Sequence, residues 1–377
     1  MQLLYSQKTW YTTPMKRHFL ILISVLFLLC GGCARTDAPV SPTAESSPIV
    51  ELLLADPTPS PTPMPTNTPI PDALNADSGQ YTIAWISDTQ YYSRKNNGVF
   101  ECMTQFLRDN ADRMRLAYIV HTGDLVHNRD VPEQWAVADR AMQIIDDLPN
   151  GVAAGNHDVG TKPEDCDYSY FSRYFGESRY AGKSWYGGSF EDNRGHFDLV
   201  SAGNTEFLFV YLGYQVTQAG MDWARETFAA YPDRVGVLAV HDYFYHDLSL
   251  TEQGQLLYDN VVKPSRNLYL VMCGHRYNCD RVPVELDDDG DGVPDRTVLQ
   301  MIANYQAIGD AAAAERTGGD GYIHFLQVDE NADVIRYTSY SPYLDDYVYF
   351  DEPAHQMEKY AFSAEGEQGQ VPIPWPH

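Results

Sequence analysis

Several short apolar stretches of this sequence end abruptly in residues that can bind a metal ion. Each stretch is typical of a buried strand in a parallel sheet. The five stretches and the groups that follow them are residues 81–86 with Asp88, 118–121 with Asp124, 151–154 with Asn156 and His157, 235–240 with His241, and 268–272 with His275. In open α/β sheets ligands bind beyond the carboxyl ends of the strands, so these side chains are expected to surround one point. Mixed carboxylate, amide and imidazole ligands suit a pair of divalent ions that promote hydrolysis.

Asp124 is expected to be the centre of this arrangement. It follows Gly123, a residue that lets the backbone come close to a ligand. A Gly-Asp pair after a strand is by itself more often a turn. The metal-binding interpretation therefore depends on the other four stretches, which end in the same way.

The order of these motifs resembles that of the calcineurin-like metallophosphoesterases, in which Asp-x-His, Gly-Asp, Gly-Asn-His, a single His and Gly-His-x-His follow one another. The corresponding series here is Asp88-Thr-Gln90, Gly123-Asp124, Gly155-Asn156-His157, His241 and Gly274-His275-Arg-Tyr277. The resemblance covers roughly residues 80 to 345. It implies an α/β fold in which two sheets form an αββα sandwich.

The resemblance also implies roles for individual residues. Asp124 would bridge two divalent ions, with Mn, Mg, Fe and Zn as the candidates, and Asp88 would bind the first ion. His157 would contact the phosphate and protonate or stabilise the leaving oxygen, a task that suits histidine because its pKa lies close to working pH. The ligands of the second ion would be Asn156, His241 and His275.

This sequence departs from the family pattern at two positions. Family members have a histidine where Gln90 and Tyr277 stand, and both histidines serve the first ion. The first site would then consist of Asp88, the amide oxygen of Gln90, the shared Asp124, and either His127 or the Tyr277 phenol. Such an oxygen-rich set favours harder ions such as Mn²⁺, Mg²⁺ or Fe over Zn²⁺ and predicts weaker binding.

Two histidines near Asp124 have more than one interpretation. His127 either binds the first ion, or supports the imidazole of His157, or is a surface histidine. His121 precedes the Gly-Asp pair on its strand and is more typical of a packed histidine with satisfied hydrogen bonds.

Three polar residues lie beside the motifs. Asp158 and Asp242 are candidates for orienting histidine side chains. Arg276 either meets the phosphate of a substrate or is a solvated arginine.

The function that the resemblance implies is hydrolysis of a phosphate monoester or diester by a metal-bridged hydroxide. The alternative is a catalytically weak binding module that keeps the fold and a metal ion. A phosphorylated small molecule or lipid is the expected substrate class. The formal charge of −26 repels nucleic acid, so nucleic acid is not an expected partner. The sequence does not determine the oligomeric state.

The first part of the chain has the pattern of an export signal. Residues 15–18 are basic, and the apolar residues 19–29 are too few to span a bilayer. Cys33 then fits the lipid-bearing thiol of a bacterial lipoprotein within a signal of residues 1–33, with an ordinary secretory signal as the alternative. Residues 34–78 are rich in Pro, Ser and Thr and are typical of an extended tether. The expected location is outside the cytoplasm, with a lipid anchor as the only contact with the membrane.

Residues 79–362 are predicted to form the metallophosphoesterase domain, and residues 363–377 are predicted to form a flexible tail.

The acidic run 287–295 matches positions 1, 3, 5, 6 and 9 of a calcium loop. Because Val298 stands at position 12 in place of Glu, a solvated acidic turn is the competing interpretation.

Four cysteines follow the signal segment. An exported chain can oxidise them, and Cys273 and Cys279 bracket the loop of His275. A bridge between them would leave Cys102 to pair with Cys166. Four free thiols are the alternative.

Overall fold

The structure is a computed structural model that describes residues 71–306, 318–351, 355 and 362–377. The predicted signal of residues 1–33 lies outside the described residues, as do residues 34–70 of the predicted tether. Within the described part, no helix is both long enough and apolar enough to cross a membrane.

The secondary structure alternates between strands and helices in the first half and is rich in strands in the second. In chain order the strands are β1 (Gln80–Ile86), β2 (Leu116–His121), β3 (Asn150–Val152), β4 (Tyr186–Phe190), β5 (Gly195–Ala202), β6 (Thr205–Leu212), β7 (Val235–Val240), β8 (Leu268–Cys273), β9 (Asn278–Leu286), β10 (Arg296–Asn304), β11 (Ile323–Asp329), β12 (Val334–Ser341), β13 (Asp346–Tyr347) and β14 (Gly369–Pro372). The helices are α1 (Gln90–Lys95), α2 (Val99–Met114), α3 (Pro132–Gln143), α4 (Asn156–Val159), α5 (Ser169–Phe175), α6 (Glu177–Tyr180), α7 (Gln218–Ala230), α8 (Glu252–Leu257) and α9 (Ala364–Glu367).

These strands form two seven-stranded sheets in the described part of the chain. The first sheet has the order β13-β12-β11-β1-β2-β3, with β14 paired to β12. The second has the order β4-β5-β6-β7-β8-β10-β9. β1, β2 and β3 are parallel to one another, and so are β6, β7, β8 and β10.

The two sheets pack face to face, and helices cover their outer faces. Trp85 of β1 lies in the core between the sheets, whereas the next residue, Ile86, packs in the core that includes residues of α2 and α3. Tyr118 of β2 stacks on Phe209 of β6 with ring centroids 4.0 Å apart. On the other side, α7 covers the second sheet. Strands buried on both faces appear in the sequence as continuous apolar runs, and the predicted αββα sandwich is confirmed.

The parallel strands end at the same level, which fixes where their loops lie. In the first sheet the last residues of β1, β2 and β3 are in register, with Ile86 opposite His121 and His121 opposite Val152. In the second sheet Val240 lies opposite both Leu212 and Cys273, the last residues of β6 and β8. The loops that follow these strands therefore emerge together at one edge of the sandwich.

Two of the helices end in distinctive ways. Helix α2 ends at Met114, and the next residue, Arg115, has a φ of 47° that stops the helix in the left-handed region. Helix α8 is followed directly by a turn of π-helix, Tyr258–Val262.

The prediction of a flexible tail at residues 363–377 is wrong. This segment contains α9 and β14, and β14 pairs with β12. Ile373 and Trp375 are buried in the core between the sheets, and the Trp375 ring meets Phe207 edge-on at 5.4 Å between ring centroids. The segment is too short for a periodic apolar pattern, so its burial comes from long-range contacts that composition does not reveal. The folded domain therefore extends beyond residue 362.

A buried carboxylate also holds this segment in place. Glu367 of α9 accepts hydrogen bonds from the backbone N–H of Tyr349 at 2.9 Å, from that of Phe350 at 2.6 Å and from Ser339 Oγ at 2.5 Å. Burial is the main reason why the pKa of Glu367 rises to about 7. These three hydrogen-bond donors replace the water that a carboxylate loses when it is buried.

The predicted disulfides are absent from the described residues, in which all four cysteines are free. Cys273 is buried in the core beneath α7, whereas Cys279 is buried in the core between the sheets. The two side chains therefore lie on opposite faces of the second sheet, although their positions in the sequence bracket one loop. The alternative of four free thiols is the one that the structure contains.

The burial of Trp375 leads to a stability prediction. Trp375→Ala should lower the free energy of unfolding by about 3–5 kcal/mol, the usual effect of truncating a buried aromatic residue. Urea unfolding followed by circular dichroism would measure it. The control is Pro376→Ala, because Pro376 is exposed. Equal stability of the two variants would contradict the packing of residues 363–377.

Candidate metal centre

Three of the predicted ligands follow strands at points where the backbone is strained. Asp88, Asp124 and His275 have φ values of 55°, 58° and 68°. Non-glycine residues adopt this left-handed conformation rarely, and such residues cluster at functional sites. Each of the three lies within three residues after the end of a strand, β1, β2 or β8. The conformation turns the chain sharply at the edge where the strands end.

Four predicted ligands form a cluster around His241, in which all but the half-buried His275 are buried. Its Nε2 lies 3.0 Å from Asn156 Oδ1 and 3.4 Å from Asp124 Oδ2. Ligand atoms of Asp124, His241 and His275 all lie within 4.8 Å of one another. The rings of His241 and His275 are 4.8 Å apart between centroids. The structure thus brings together residues that sequence analysis assigned to one ion.

The surroundings of His241 fit a cation. Its Nδ1 lies 2.9 Å from the carbonyl oxygen of Thr122, so both ring nitrogens face hydrogen-bond acceptors. Burial lowers the pKa of His241, but the neighbouring Asp124 raises it more, to about 10. A divalent ion at Nε2 would take the place of the proton, while Nδ1–H would keep its bond to Thr122. A carbonyl acceptor of this kind commonly orients a metal-binding histidine.

Asp88 and Gln90 also lie close to Asp124. Asp88 Oδ2 accepts hydrogen bonds from Ser87 Oγ at 2.5 Å and from the N–H of His275 at 3.1 Å. Asp88 Oδ1 and Gln90 Oε1 are buried without a hydrogen-bond partner among the described residues. Burial is the main cause that raises the pKa of Asp88 to about 7; His241 opposes the rise and Asp124 adds to it. A bound cation would give these two buried oxygen atoms the partner that they lack.

The amide of Gln90 also contacts the central carboxylate. Its Nε2 donates a hydrogen bond to Asp124 Oδ2 at 3.1 Å. Gln90 therefore presents a donor to Asp124 and an unpaired oxygen to its surroundings. Exchanging the amide nitrogen and oxygen by rotation would instead point the amide oxygen at Asp124 Oδ2, and two facing oxygen atoms suit a bound cation.

His157 is held by its backbone and its ring. Its N–H donates to Asp124 Oδ1 at 2.9 Å, and its Nδ1 lies 2.9 Å from the carbonyl oxygen of His127. Because a carbonyl only accepts, Nδ1 carries a proton, and Nε2 is left for another partner. The structure therefore places His157 beside the central carboxylate with one ring nitrogen fixed.

His127 supports His157 in this arrangement. The two rings stack with centroids 4.8 Å apart, and Tyr91 stacks on the other face of His127 at 5.0 Å. Burial and the charge of His157 lower the pKa of His127 to about 4. Of the three interpretations of His127, this geometry favours support of the imidazole of His157.

Tyr277 is half-buried and packs against the core between the sheets. Its carbonyl oxygen lies 3.0 Å from Nδ1 of His246. Burial is the first cause that raises the pKa of Tyr277 to about 12, and the charges of Asp88 and Asp124 add to it. The phenol thus lies within electrostatic range of the first site and stays protonated near neutral pH.

Asp158 has a different role from the predicted one. Its side chain accepts hydrogen bonds from the backbone N–H groups of Leu125, Val126 and Gly155, at 2.8, 3.0 and 2.7 Å, and not from a histidine. It joins the loop after β2 to the loop after β3. A side chain at Gly155 would meet Asp124 Oδ1 at 2.1 Å, so only glycine permits this approach.

His121 has the contacts that the sequence suggested, whereas Asp242 does not. His121 is a packed histidine with satisfied hydrogen bonds, as its position suggested, because Gly123 N–H donates to Nδ1 at 3.1 Å and Nε2 lies 3.0 Å from Thr89 Oγ1. Asp242 was expected to orient a histidine, but its Oδ1 is buried without a hydrogen-bond partner among the described residues.

Sequence analysis missed Tyr214. It follows β6, another parallel strand that ends at this edge, and its ring lies 6.0 Å from those of both His241 and His275. Its N–H donates to the carbonyl of Ala154 at 2.9 Å, and Tyr168 Oη donates to the Tyr214 carbonyl at 2.6 Å. The available signal was a further apolar strand ending in Gly-Tyr. It was overlooked because tyrosine is not a usual metal ligand.

The acidic run 287–295 forms an exposed loop away from these residues. Oxygens of Asp287, Asp289 and Asp291 lie within 4.8 Å of one another. The Asp287 carboxylate accepts hydrogen bonds from the N–H groups of Gly290 and Gly292. These contacts suit a solvated turn as well as a calcium loop, so calcium binding stays a prediction.

The chain is similar to several known proteins. It is 38% identical over 287 residues to the uncharacterized protein YvnB of Bacillus subtilis (strain 168), covering 76% of this chain and 22% of that protein. The chain thus spans about a fifth of the length of this relative. A purple acid phosphatase, PPD1 from seeds of yellow lupin (Lupinus luteus), has a TM-score of 0.46 at 12% identity, over 72% of this chain and 53% of that one. GAP50, the anchor in the inner membrane complex of Plasmodium, has a TM-score of 0.43 at 11% identity, over 71% and 87% of the two chains.

The match to a family model carries the assignment. The model of the calcineurin-like phosphoesterases matches residues 81–279. This range is more than half of the chain and includes every residue gathered at the candidate metal centre. The chain therefore belongs to the calcineurin-like phosphoesterase family.

Proposed function

We propose that this protein is an exported, metal-dependent phosphoesterase that hydrolyses a phosphate monoester or diester. The observation that carries the proposal is the cluster of Asp124, Asn156, His241 and His275 at the aligned strand ends. Bound divalent ions supply a nucleophile at neutral pH and neutralise the charge of the phosphate. The expected substrate is a phosphorylated small molecule or lipid, because a chain of net charge −26 repels nucleic acid.

Asp124 is suited to serve two ions at once. Its Oδ1 is held by the N–H of His157, and its Oδ2 lies between His241 and Gln90. The second ion would be held by Asp124, Asn156, His241 and His275. The first would be held by Asp124 together with Asp88 and Gln90, whose unpaired oxygens support this site.

His157 is the group that we infer acts on the leaving oxygen. Its Nδ1–H is held by the carbonyl of His127, so the ring is fixed and Nε2 is available to a substrate. Stacking against His127 keeps the ring from turning. A fixed imidazole can hold a proton at the position where the leaving oxygen develops charge.

One contact favours the competing function, a binding module with a single ion. Gln90 Nε2 donates to Asp124 Oδ2, so the amide N–H occupies a position that a first ion would need. In that state only the histidine side of the centre would bind metal.

One pair of measurements separates the two functions. Metal content of the purified protein is measured by plasma mass spectrometry, and hydrolysis of p-nitrophenyl phosphate and of its bis ester is assayed with Mn²⁺, Mg²⁺ or Zn²⁺. A phosphoesterase turns over at least one ester in a metal-dependent way. A binding module retains one ion and turns over neither.

The central position of Asp124 leads to a prediction about two variants. Asp124→Ala should release metal from both sites and abolish turnover. His157→Ala should keep the metal content and lower kcat by about 10²–10⁴-fold, the usual contribution of a general acid. Full activity of His157→Ala would show that its role is wrongly assigned. His377→Ala, at an exposed histidine, serves as the control.

The two departures from the family pattern predict unequal affinity. One ion should remain through purification, while the other is lost and is restored by added Mn²⁺ or Mg²⁺, because amide and phenol oxygens bind late divalent metals weakly. The double variant Gln90→His with Tyr277→His should tighten the weak site and shift it toward Zn²⁺, measured by competition with a chelating dye. Two tightly held zinc ions in the untreated wild-type protein would contradict this prediction.

The export signal leads to a prediction about location. We propose that Cys33 carries a lipid that anchors the protein to the cell envelope. Cys33→Ser should then move the protein from detergent-extracted membranes to the soluble fraction while its activity stays the same. Unchanged fractionation on immunoblots would favour an ordinary secretory signal.

A further inference from the structure

Arg276 is a positively charged residue beside the metal centre that has no ion pair in the described part of the chain. It follows His275 directly and is half-buried, and its Nε atom is buried without a hydrogen-bond partner among the described residues. Its guanidinium carbon lies 5.8 Å from the centroid of the Tyr245 ring. In contrast, Arg296 and Arg336 each form an ion pair with an aspartate.

Carboxylates are present near Arg276 but do not neutralise it by contact. Asp242 and Glu252 both lie within electrostatic range of its charge. Glu252 instead accepts a hydrogen bond from Tyr245 Oη at 2.7 Å. A guanidinium nitrogen that has lost water without gaining an acceptor is destabilised. An anion arriving from outside the chain would relieve that cost.

Tyr214 connects Arg276 to the metal centre. Its backbone is fixed on both sides by Ala154 and Tyr168, and its ring lies against His241 and His275. The charges of Arg276 and of Asp124 both act on its phenol. The Tyr214 phenol therefore lies beside the two histidines, and the guanidinium of Arg276 lies within electrostatic range of that phenol and of His275.

We propose that Arg276, together with the Tyr214 phenol, binds an anionic phosphate oxygen of the substrate and thereby determines specificity. This inference rests on the proposed function. The oxygen belongs either to the phosphoryl group that is hydrolysed or to a second phosphate of the same substrate. In both cases the chemistry is the same, because a guanidinium group offers paired N–H donors that match phosphate oxygens.

The test compares Arg276→Gln and Arg276→Lys with the wild type, using inorganic phosphate as the probe. Titration calorimetry on the metal-loaded protein should show phosphate affinity reduced about 10- to 100-fold in Arg276→Gln, the effect of losing a charged hydrogen bond. Arg276→Lys should recover part of the phosphate affinity, since lysine keeps the positive charge but lacks the paired N–H donors of a guanidinium group. Metal content should match the wild type.

The source of the oxygen is distinguished by kinetics with three substrates. If Arg276 binds the hydrolysed phosphoryl group, Arg276→Gln lowers the ratio of kcat/KM for p-nitrophenyl phosphate to that for the bis ester. If it binds a second phosphate, the ratio for inorganic pyrophosphate to p-nitrophenyl phosphate falls. Either result supports the proposal.

The control is Arg173→Gln, which removes an exposed arginine that also lies over a tyrosine, Tyr174, at 5.7 Å. The proposal is overturned if phosphate affinity and both ratios in Arg276→Gln match this control. Loss of metal or a lower melting temperature, with all substrates affected equally, also overturns it, because Arg276 would then only support the fold. If the wild type hydrolyses no ester, the proposed function fails, and the phosphate titration still decides the role of Arg276.

Discussion

The structure depends on keeping the carboxylate of Asp124 ionised in a place from which water is excluded. Burial opposes the charged form of a carboxyl group, and Asp124 is only 1% exposed. The charge of His241 outweighs this effect and holds the pKa of Asp124 well below its usual value. Asp88 lies close enough for Asp124 to help raise its pKa. Two buried carboxylates in mutual repulsion are stabilised by positive charge between them, which is what a divalent ion supplies.

The fold provides this arrangement through strand register. Because the last residues of β1, β2 and β3 pair with one another, their loops begin at one level and can be joined by single side chains such as Asp158. The strand ends of β6, β7 and β8 are aligned in the same way in the second sheet. Aromatic packing between the sheets, such as Tyr118 on Phe209, holds the two edges together. The position of each ligand is thus determined by residues far from it in the sequence.

The clustering of the candidate ligands could be predicted because its signal is local. An apolar run that stops at Asp, Asn or His marks both a strand and a candidate ligand, and parallel strands bring such ends together. The burial of residues 363–377 could not be predicted in this way, since Trp375 is stabilised by contact with Phe207 on a distant strand. Cys273 and Cys279 lie on opposite faces of a sheet, and the spacing of two cysteines in a sequence does not show which face each one occupies. Tyr214 follows a parallel strand in the same way, but tyrosine is not a usual metal ligand, so the end of β6 did not draw attention to it.

The two departures from the family pattern change the character of one side of the centre without changing its charge. Gln90 and Tyr277 replace neutral imidazoles with neutral oxygen groups, and the pKa of Tyr277, raised to about 12 mainly by burial, keeps the phenol protonated. The first site would therefore hold its ion mainly through Asp88 and Asp124, while the second keeps two imidazoles. Tyr214 lies against the imidazoles of His241 and His275, and Arg276 follows His275 directly in the sequence. The groups proposed to bind an anion and the softer ligands are therefore concentrated together. The side of the centre that has imidazole ligands is therefore also the side on which a substrate phosphate would be held.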